Sequence, residues 1–598
     1  MINMPFAEIQ RWVETIRYLR RDQIQHRLRA TVRWQARRVL GRRWDAALTK
    51  RAKHTAGPAQ RKEALGGFAL LAEKMFVRRP WSWHASEPGA FTFLNDKIDI
   101  GFPPRWNDPQ IHWARDPFLW RFHLHYFDWL WDILAADRAE DAIAAMRDWV
   151  EQNPLNVARA KEGPWSPYTI SLRLWNWMAA LACLRVADRI TKEDWTILCD
   201  SIRRQALFLA ENVEWEHRGN HLLENLSALI AARMFSRGRR RSHGESSLWK
   251  ALLEQCEEQI GAGGMHAEGS AMYHALLLGR LLDLKLVLKD SEDGRIAELD
   301  KVIRRMGEFL AHIRCPDGEI PLLADSTGEV AQGLDALLEQ CAVEWHNQSS
   351  ERDHHVVFRT RHRDYLLFDA APLGLDYLGA HMHADLMNVQ VCIGERRIIT
   401  SGGAGIYREG PERDAERATR EHATITVDGI CCADPWKSFR TGRRGHVTVF
   451  EANMESNPPW ATARHDGFAP ADVLHERRVT MEEKKRAFEI KDRLHHLSPE
   501  LPASDKPHII EAFWPLHPGV VATVNRTVVH IHCRTSGKAL ARLHPTCEGE
   551  SVSISLPDGI MYEAFGKPSP RQIVVIRVWL KIGHAFTMRI EAAEGNSP

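Results

Sequence analysis

A chain of 598 residues is too long for one hydrophobic core, so two or three domains are expected. Hydrophobic content of 44% and charged content of 26% fit a soluble globular protein. The 80 basic and 78 acidic residues leave a formal charge of +2, which argues against a nucleic-acid-binding protein with one dominant basic face.

Residues 1–55 form a basic helical segment, rich in Arg and without an uninterrupted apolar core. It does not resemble a secretory signal, and no stretch of the chain is long enough to span a membrane. The expected location is therefore the cytoplasm or the exterior by a non-standard route. Two readings of the segment stand side by side. It is a basic amphipathic helix that touches an anionic surface or partner, or a solvated helix packed on its own protein, which is the commoner case.

From 56 to 345 the chain reads as helix after helix, as in "RFHLHYFDWLWDILAA", "SLRLWNWMAALACLRVA" and "AMYHALLLGRLLDLKLVL". Apolar residues recur at steps of three and four, for example Leu222, Leu226, Leu229 and Ile230. Short connections carrying Gly, Pro and Asp favour antiparallel helical hairpins. Across 340–352 the period changes. From 350 to 598, "HVVFRTRHRDYLLFDA", "NVQVCIGERRIITSG" and "RQIVVIRVWLKIGHAFTMRIEAA" alternate apolar with polar residues and are rich in Val, Ile and Thr. Many short strands without intervening helices predict an antiparallel β-sandwich. The expected class is α+β and multidomain, helical first and sheet second.

Trp is abundant, 22 against 8 Tyr. Such rings line carbohydrate clefts, although core packing is their default role. The ten cysteines show neither a CxxC pair nor a repeated spacing and read as reduced structural thiols.

Three segments could carry chemistry. In "RGNHLLENLSAL", Asn220 precedes a helical pattern and reads as an N-cap, with His221 beside it. In "GGMHAEGSAMYHALLL", Ser270 is a plausible N-cap that sets Tyr273 in the first helical turn. The helix dipole there favours the phenolate form and makes Tyr273 a candidate proton carrier, the alternative being a buried Tyr with its hydroxyl satisfied; Glu268 either orients neighbouring groups or is solvated. In "YLGAHMHADLMNVQV", His381, His383 and Asp385 alternate and would share one face of a strand. With His422 from "REHATITVDG" they make a plausible zinc set, though an HxH is common on ordinary strands.

Taken in order, these segments resemble the heparinase II/III family of polysaccharide lyases, which includes related alginate lyases. The likeness runs from "LWRFHLHYFDWL" through "EGPWSPYTISLRLWNW", "GNHLLENLSAL", "HAEGSAMYH" and "PDGEIPLLADS" to "HMHADLMNVQV", "ERATREHATITVDG", "ARHDGF" and "HERRV". It implies an (α/α) incomplete toroid followed by a β-sandwich. It also implies β-elimination at a uronic acid of an anionic polysaccharide: heparan sulfate, chondroitin, hyaluronan or alginate. By this resemblance Asn220 and His221 contact the substrate carboxylate, with His221 an alternative base for one uronate epimer, and Tyr273 protonates the departing oxygen and in a syn reaction could also remove the C5 proton. His381 neutralises the acid group or serves as base. His125, Arg173, Trp175, Glu268 and Tyr407 become subsite contacts.

The family's metal ligands map to His383 and His422, with Thr400 where a carboxylate belongs. A neutral hydroxyl is a poor replacement for an anionic ligand. Either water or another carboxylate completes one structural divalent ion, Zn or Mn, or the metal is lost and the histidines hydrogen-bond instead. No organic cofactor is expected. Two other classes remain: a polysaccharide-binding or trimming protein of bacterial exopolysaccharide assembly, and a toroid glycoside hydrolase. The hydrolase requires a pair of carboxylates flanking the bond.

Overall fold

The computed structural model describes residues 6–54, 62–78, 82–155, 163–237, 243–289, 295–328, 333–498 and 506–593. The chain forms two compact units. One comprises Met1–Leu19, Ile260–Leu276 and Arg304–Pro598, and the other Arg20–Gln259 and Leu277–Ile303.

The second of these is helical. The helix Pro167–Val186 is its centre and packs on Gly66–Arg78, Lys192–Glu211 and Gly219–Arg237. Buried neighbours on every side explain why its sequence is apolar nearly all round. Its start is set by Pro167 in the first turn, where the missing N–H costs nothing. Lys192–Glu211 begins at Thr191, whose hydroxyl accepts from Asp194 N at 3.1 Å. Gly67 is required by a close approach, since a Cβ there would lie 2.8 Å from the Cα of Val287.

Tryptophan fills the interior of this unit. Trp120, Trp129, Trp131, Trp149, Trp165, Trp175, Trp177 and Trp249 are fully buried. The composition that hinted at a sugar cleft thus went mainly into the core. All ten cysteines are free thiols.

The other unit is built mostly of antiparallel sheets. Five strands from Ser350–Arg352 to Arg396–Ile399 form a meander. An eight-stranded sheet runs from Val447–Asn453 through Val473–Glu482, Ala487–His496 and Ala585–Ala592 to Val520–Asn525. A further five-stranded sheet contains His508–Pro515 and Lys567–Leu580. Strict alternation of buried and half-buried residues along Val473–Glu482 shows one face turned to the core. Val356, Phe358, Val389, Val479, Ile490, Trp514 and Ile576 belong to one continuous apolar cluster.

A buried polar chain runs through that core. Gly467 N donates to His465 Nδ1 at 3.0 Å, so the His465 proton sits on Nε2, which donates to His475 Nδ1 at 3.1 Å. His475 Nε2 in turn donates to Asp492 at 2.7 Å. Arg477 forks onto the same carboxylate and sends Nη1 to the carbonyls of Met387 and Ala423, both at 2.7 Å. Burial opposes a charge on Asp492, but Arg477 and His475 outweigh it and hold the carboxyl at about 2. Every group in this chain is satisfied. The sandwich thereby grips the backbone next to His422 and a few residues beyond His383.

Candidate active site

In the sheet-rich unit the site is assembled from four segments distant in sequence. The helix Ala271–Leu288 is capped by Ser270, whose Oγ accepts from Tyr273 N at 3.2 Å. The same hydroxyl donates to Asp325 O at 2.6 Å, and Ser326 Oγ accepts from Met272 N at 3.2 Å. The "PLLADS" segment is thereby stitched to the first turn that carries Tyr273. Ala404 N then donates to Ser326 O at 3.1 Å, bringing in the glycine-rich loop. Two glycines let that loop pass. Gly403 has φ +72° and lies against Tyr562 O, and a Cβ on Gly405 would fall 2.0 Å from the Tyr562 ring. The loop delivers Tyr407, whose hydroxyl is 3.0 Å from that of Tyr273.

His381 lies across the two phenols, its ring 4.3 Å from that of Tyr273 and 6.2 Å from that of Tyr407. The expected strand is absent at this point. Residues 381–387 are irregular and the strand begins at Asn388, because the backbone here bonds to Arg417. The Met382 carbonyl accepts from Arg417 Nε and Nη2 at 3.0 and 2.8 Å, and Ala384 N donates to the Arg417 carbonyl at 2.9 Å.

Under the two histidines sits Asp325, fully buried. Its Oδ2 accepts from His381 Nδ1 at 2.7 Å and its Oδ1 from His383 Nε2 at 2.8 Å. Arg413 forks onto both oxygens at 2.6 Å. Burial alone would neutralise this acid, but Arg413 and the two imidazoles hold it well below the usual carboxylate range. An anionic Asp325 fixes the His381 proton on Nδ1 and leaves Nε2 as an acceptor. Burial lowers His383 to about 4, so its Nδ1 is left as an acceptor as well.

The phenols behave opposite to the sequence expectation. Burial, reinforced by the charges of Asp325 and Glu268, pushes Tyr273 upward, and Tyr407 rises for the same principal reason. Desolvation and nearby anions outweigh the helix dipole. Tyr273 is a protonated phenol at neutral pH, and Glu268 is buried beside His266.

His383 Nδ1 and His422 Nε2 hydrogen-bond to each other at 3.2 Å. The hydroxyl on His422 belongs to Ser401, 3.1 Å from Nδ1, whereas that of Thr400 bonds to Gln390 at 3.3 Å. Ser401, rather than Thr400, is therefore the hydroxyl that reaches His422. It lies at the ring nitrogen turned away from His383. Asp385 is 4.0 Å from that same nitrogen, and burial beside Asp369 pushes its carboxyl up to about 8. Among the described residues no three His, Cys, Asp or Glu side chains converge as a metal set. Two imidazoles without an anionic third donor do not fit a closed zinc site.

In the helical unit Asn220 lies inside the first turn of Gly219–Arg237 rather than capping it from outside. His221 retains 39% of its side-chain exposure. It stacks on Tyr168 at 4.2 Å, and its Nδ1 meets Glu214 at 3.2 Å. Burial would raise Glu214, but His221 and other neighbours outweigh it and keep the carboxyl below its ordinary value. This is an oriented, accessible imidazole.

Three expected subsite contacts belong to the core instead. Arg173 is fully buried and spends its guanidinium on Gln205, His125 O and Pro164 O, at 2.8, 3.1 and 2.7 Å. His125 accepts from Trp149 Nε1 at 3.2 Å, and Trp175 packs under Arg280 at 4.8 Å. None has surface to offer a substrate. Conversely, Asp325, Arg413, Arg417 and Glu214 escaped sequence reasoning. An Asp inside the apolar "PLLADS" is a signal for a paired buried acid. The two arginines, within "PERDAERATRE", read as a solvated helix.

Residues 90–350 match the family description "Heparinase II/III N-terminus", and residues 354–590 match "Heparinase II/III-like, C-terminal". No curated protein matches the chain. Among solved structures, one titled heparinase III shares 15% identity at a TM-score of 0.63, covering 94% of this chain and 92% of that one. A heparinase III recorded as the BT4657 gene product shares 15% at 0.59, covering 94% and 91%. A mutant of the heparan sulfate lyase HepC from Pedobacter heparinus shares 17% at 0.57, covering 92% and 88%. At such identities these likenesses establish the fold, a helical part followed by a sheet-rich one. With both family descriptions matched in order, the chain belongs to the heparinase II/III family.

Proposed function

We propose that the chain is a polysaccharide lyase that cuts a uronic-acid-containing polysaccharide by β-elimination. The observation that carries this reading is the pairing of Tyr273 with an Asp-anchored His381, ring centroids 4.3 Å apart. Elimination needs a base for the C5 hydrogen and an acid for the departing O4. His381, whose Nδ1 is turned to Asp325, takes the C5 hydrogen on Nε2. Tyr273, held as a phenol by burial, gives its proton to O4. The Tyr407 hydroxyl, 3.0 Å away, hydrogen-bonds the phenolate that results. Proton return from the His381 imidazolium to Tyr273 closes the cycle, and no water is consumed. On the sequence resemblance, Asn220 and His221 are assigned to the substrate carboxylate, whose charge must be quieted before the C5 hydrogen can leave.

Heparan sulfate is the first substrate to try, followed by chondroitin, hyaluronan and alginate. The product carries a C4–C5 double bond and absorbs in the ultraviolet. Cleavage without new absorbance would instead identify a hydrolase, and tight binding without cleavage an assembly or binding protein.

The donor set around His383 and His422 supports turnover independent of a divalent ion. Treatment with EDTA is expected to leave rate and melting temperature unchanged. A loss of either that zinc or manganese restores would contradict this assignment.

A further inference from the structure

We propose that the helix Arg21–His54 docks the protein on the surface of an anionic lipid bilayer. This helix has 34 residues and two different sides. One packs on Lys192–Glu211 and buries Gln23, Arg37, Leu48 and Ala52. Arg37 is anchored there by Asn212 at 2.6 Å and Glu211 at 2.9 Å. The helix is thus held by that face, and the opposite face is left to solvent.

The solvent face is apolar along its middle. Ile24 is 38% exposed, Leu28 62%, Val32 68% and Val39 85%. At 100° per residue these four and the exposed Ala46 fall within an arc of about 80°, along roughly 33 Å of helix, interrupted once by the exposed Gln35. Exposed arginines flank the stripe, Arg27 and Arg38 on one side and Arg29 and Arg43 on the other. Of the two acids on this helix, Asp45 is half-buried and Asp22, in the first turn, is paired with Arg218.

An apolar stripe between two cationic rows is the pattern of a helix lying in a membrane interface. The rows meet anionic headgroups while the stripe enters the boundary of the acyl chains. Charge decides against a second copy of the same helix, because flanking arginines would oppose arginines. A soluble polyanion would satisfy the arginines but offers nothing to Leu28, Val32 and Val39. Among the described residues no helix is long and apolar enough to cross a bilayer, so the contact is superficial.

The test is co-sedimentation of the full chain with vesicles of phosphatidylcholine alone or with added phosphatidylserine. Binding is expected on the mixed vesicles, at least about tenfold weaker on the neutral ones, and weakened by salt. The triple variant Leu28→Ser, Val32→Ser, Val39→Ser and the triple variant Arg27→Gln, Arg29→Gln, Arg38→Gln should each lose about tenfold or more. Melting temperatures near that of the parent establish that both variants are folded. No binding to mixed vesicles overturns the proposal. So does full binding by the serine variant, which would indicate a polyanion site, or self-association through this face in the absence of lipid.

Discussion

Tyr273→Phe is expected to lower kcat by about a thousandfold while leaving polysaccharide binding nearly unchanged. Removing one hydroxyl eliminates the acid that protonates O4, and general acid–base catalysis contributes factors of this order. The ring remains to pack against His381 at 4.3 Å, so the local packing is retained. The measurement is the initial rate of ultraviolet absorbance beside a direct binding assay. Full activity in this variant would remove Tyr273 from the mechanism.

Asp325→Asn is expected to damage both chemistry and stability. The carboxylate accepts from His381, His383 and both arms of Arg413, which an amide cannot do. His381 loses the anion that keeps its proton on Nδ1, and loss of such an orienting carboxylate costs about 10⁴ in kcat in hydrolases that use one. Arg413, fully buried, loses its two-armed partner and keeps only the Glu416 carboxyl at 3.5 Å, an effect of at most about 3–5 kcal/mol. The melting temperature should fall by several degrees, and the rate must be read well below it. Unchanged kcat at a temperature where the variant is folded would show that Asp325 does not orient the base.

The two halves of the chain could be told apart from sequence because periodicity is local. Leu222, Leu226, Leu229 and Ile230 recur at the spacing of one helical turn, and all four are buried. Likewise Val473–Glu482 alternates as a half-buried strand must. Ser270 was legible as a cap for the same reason, since its partner is only three residues away.

Errors arose where a side chain's environment is set by residues far along the chain. Arg173, His125 and Trp175 have the residue types of a sugar subsite, and only tertiary packing shows them enclosed in the core. Thr400 and Ser401 are adjacent in sequence, and the fold turns one hydroxyl to Gln390 and the other to His422.

By itself the sequence determined that the first half is mainly helical and the second mainly strands, and that Tyr273 stands in a first helical turn. The tertiary structure alone decided that Asp325, some 56 residues from His381, lies beneath it, and that Tyr273 stays protonated. Secondary structure follows from contacts a few residues apart. Desolvation and charge pairing are sums over neighbours in space, and those neighbours come from every part of the chain.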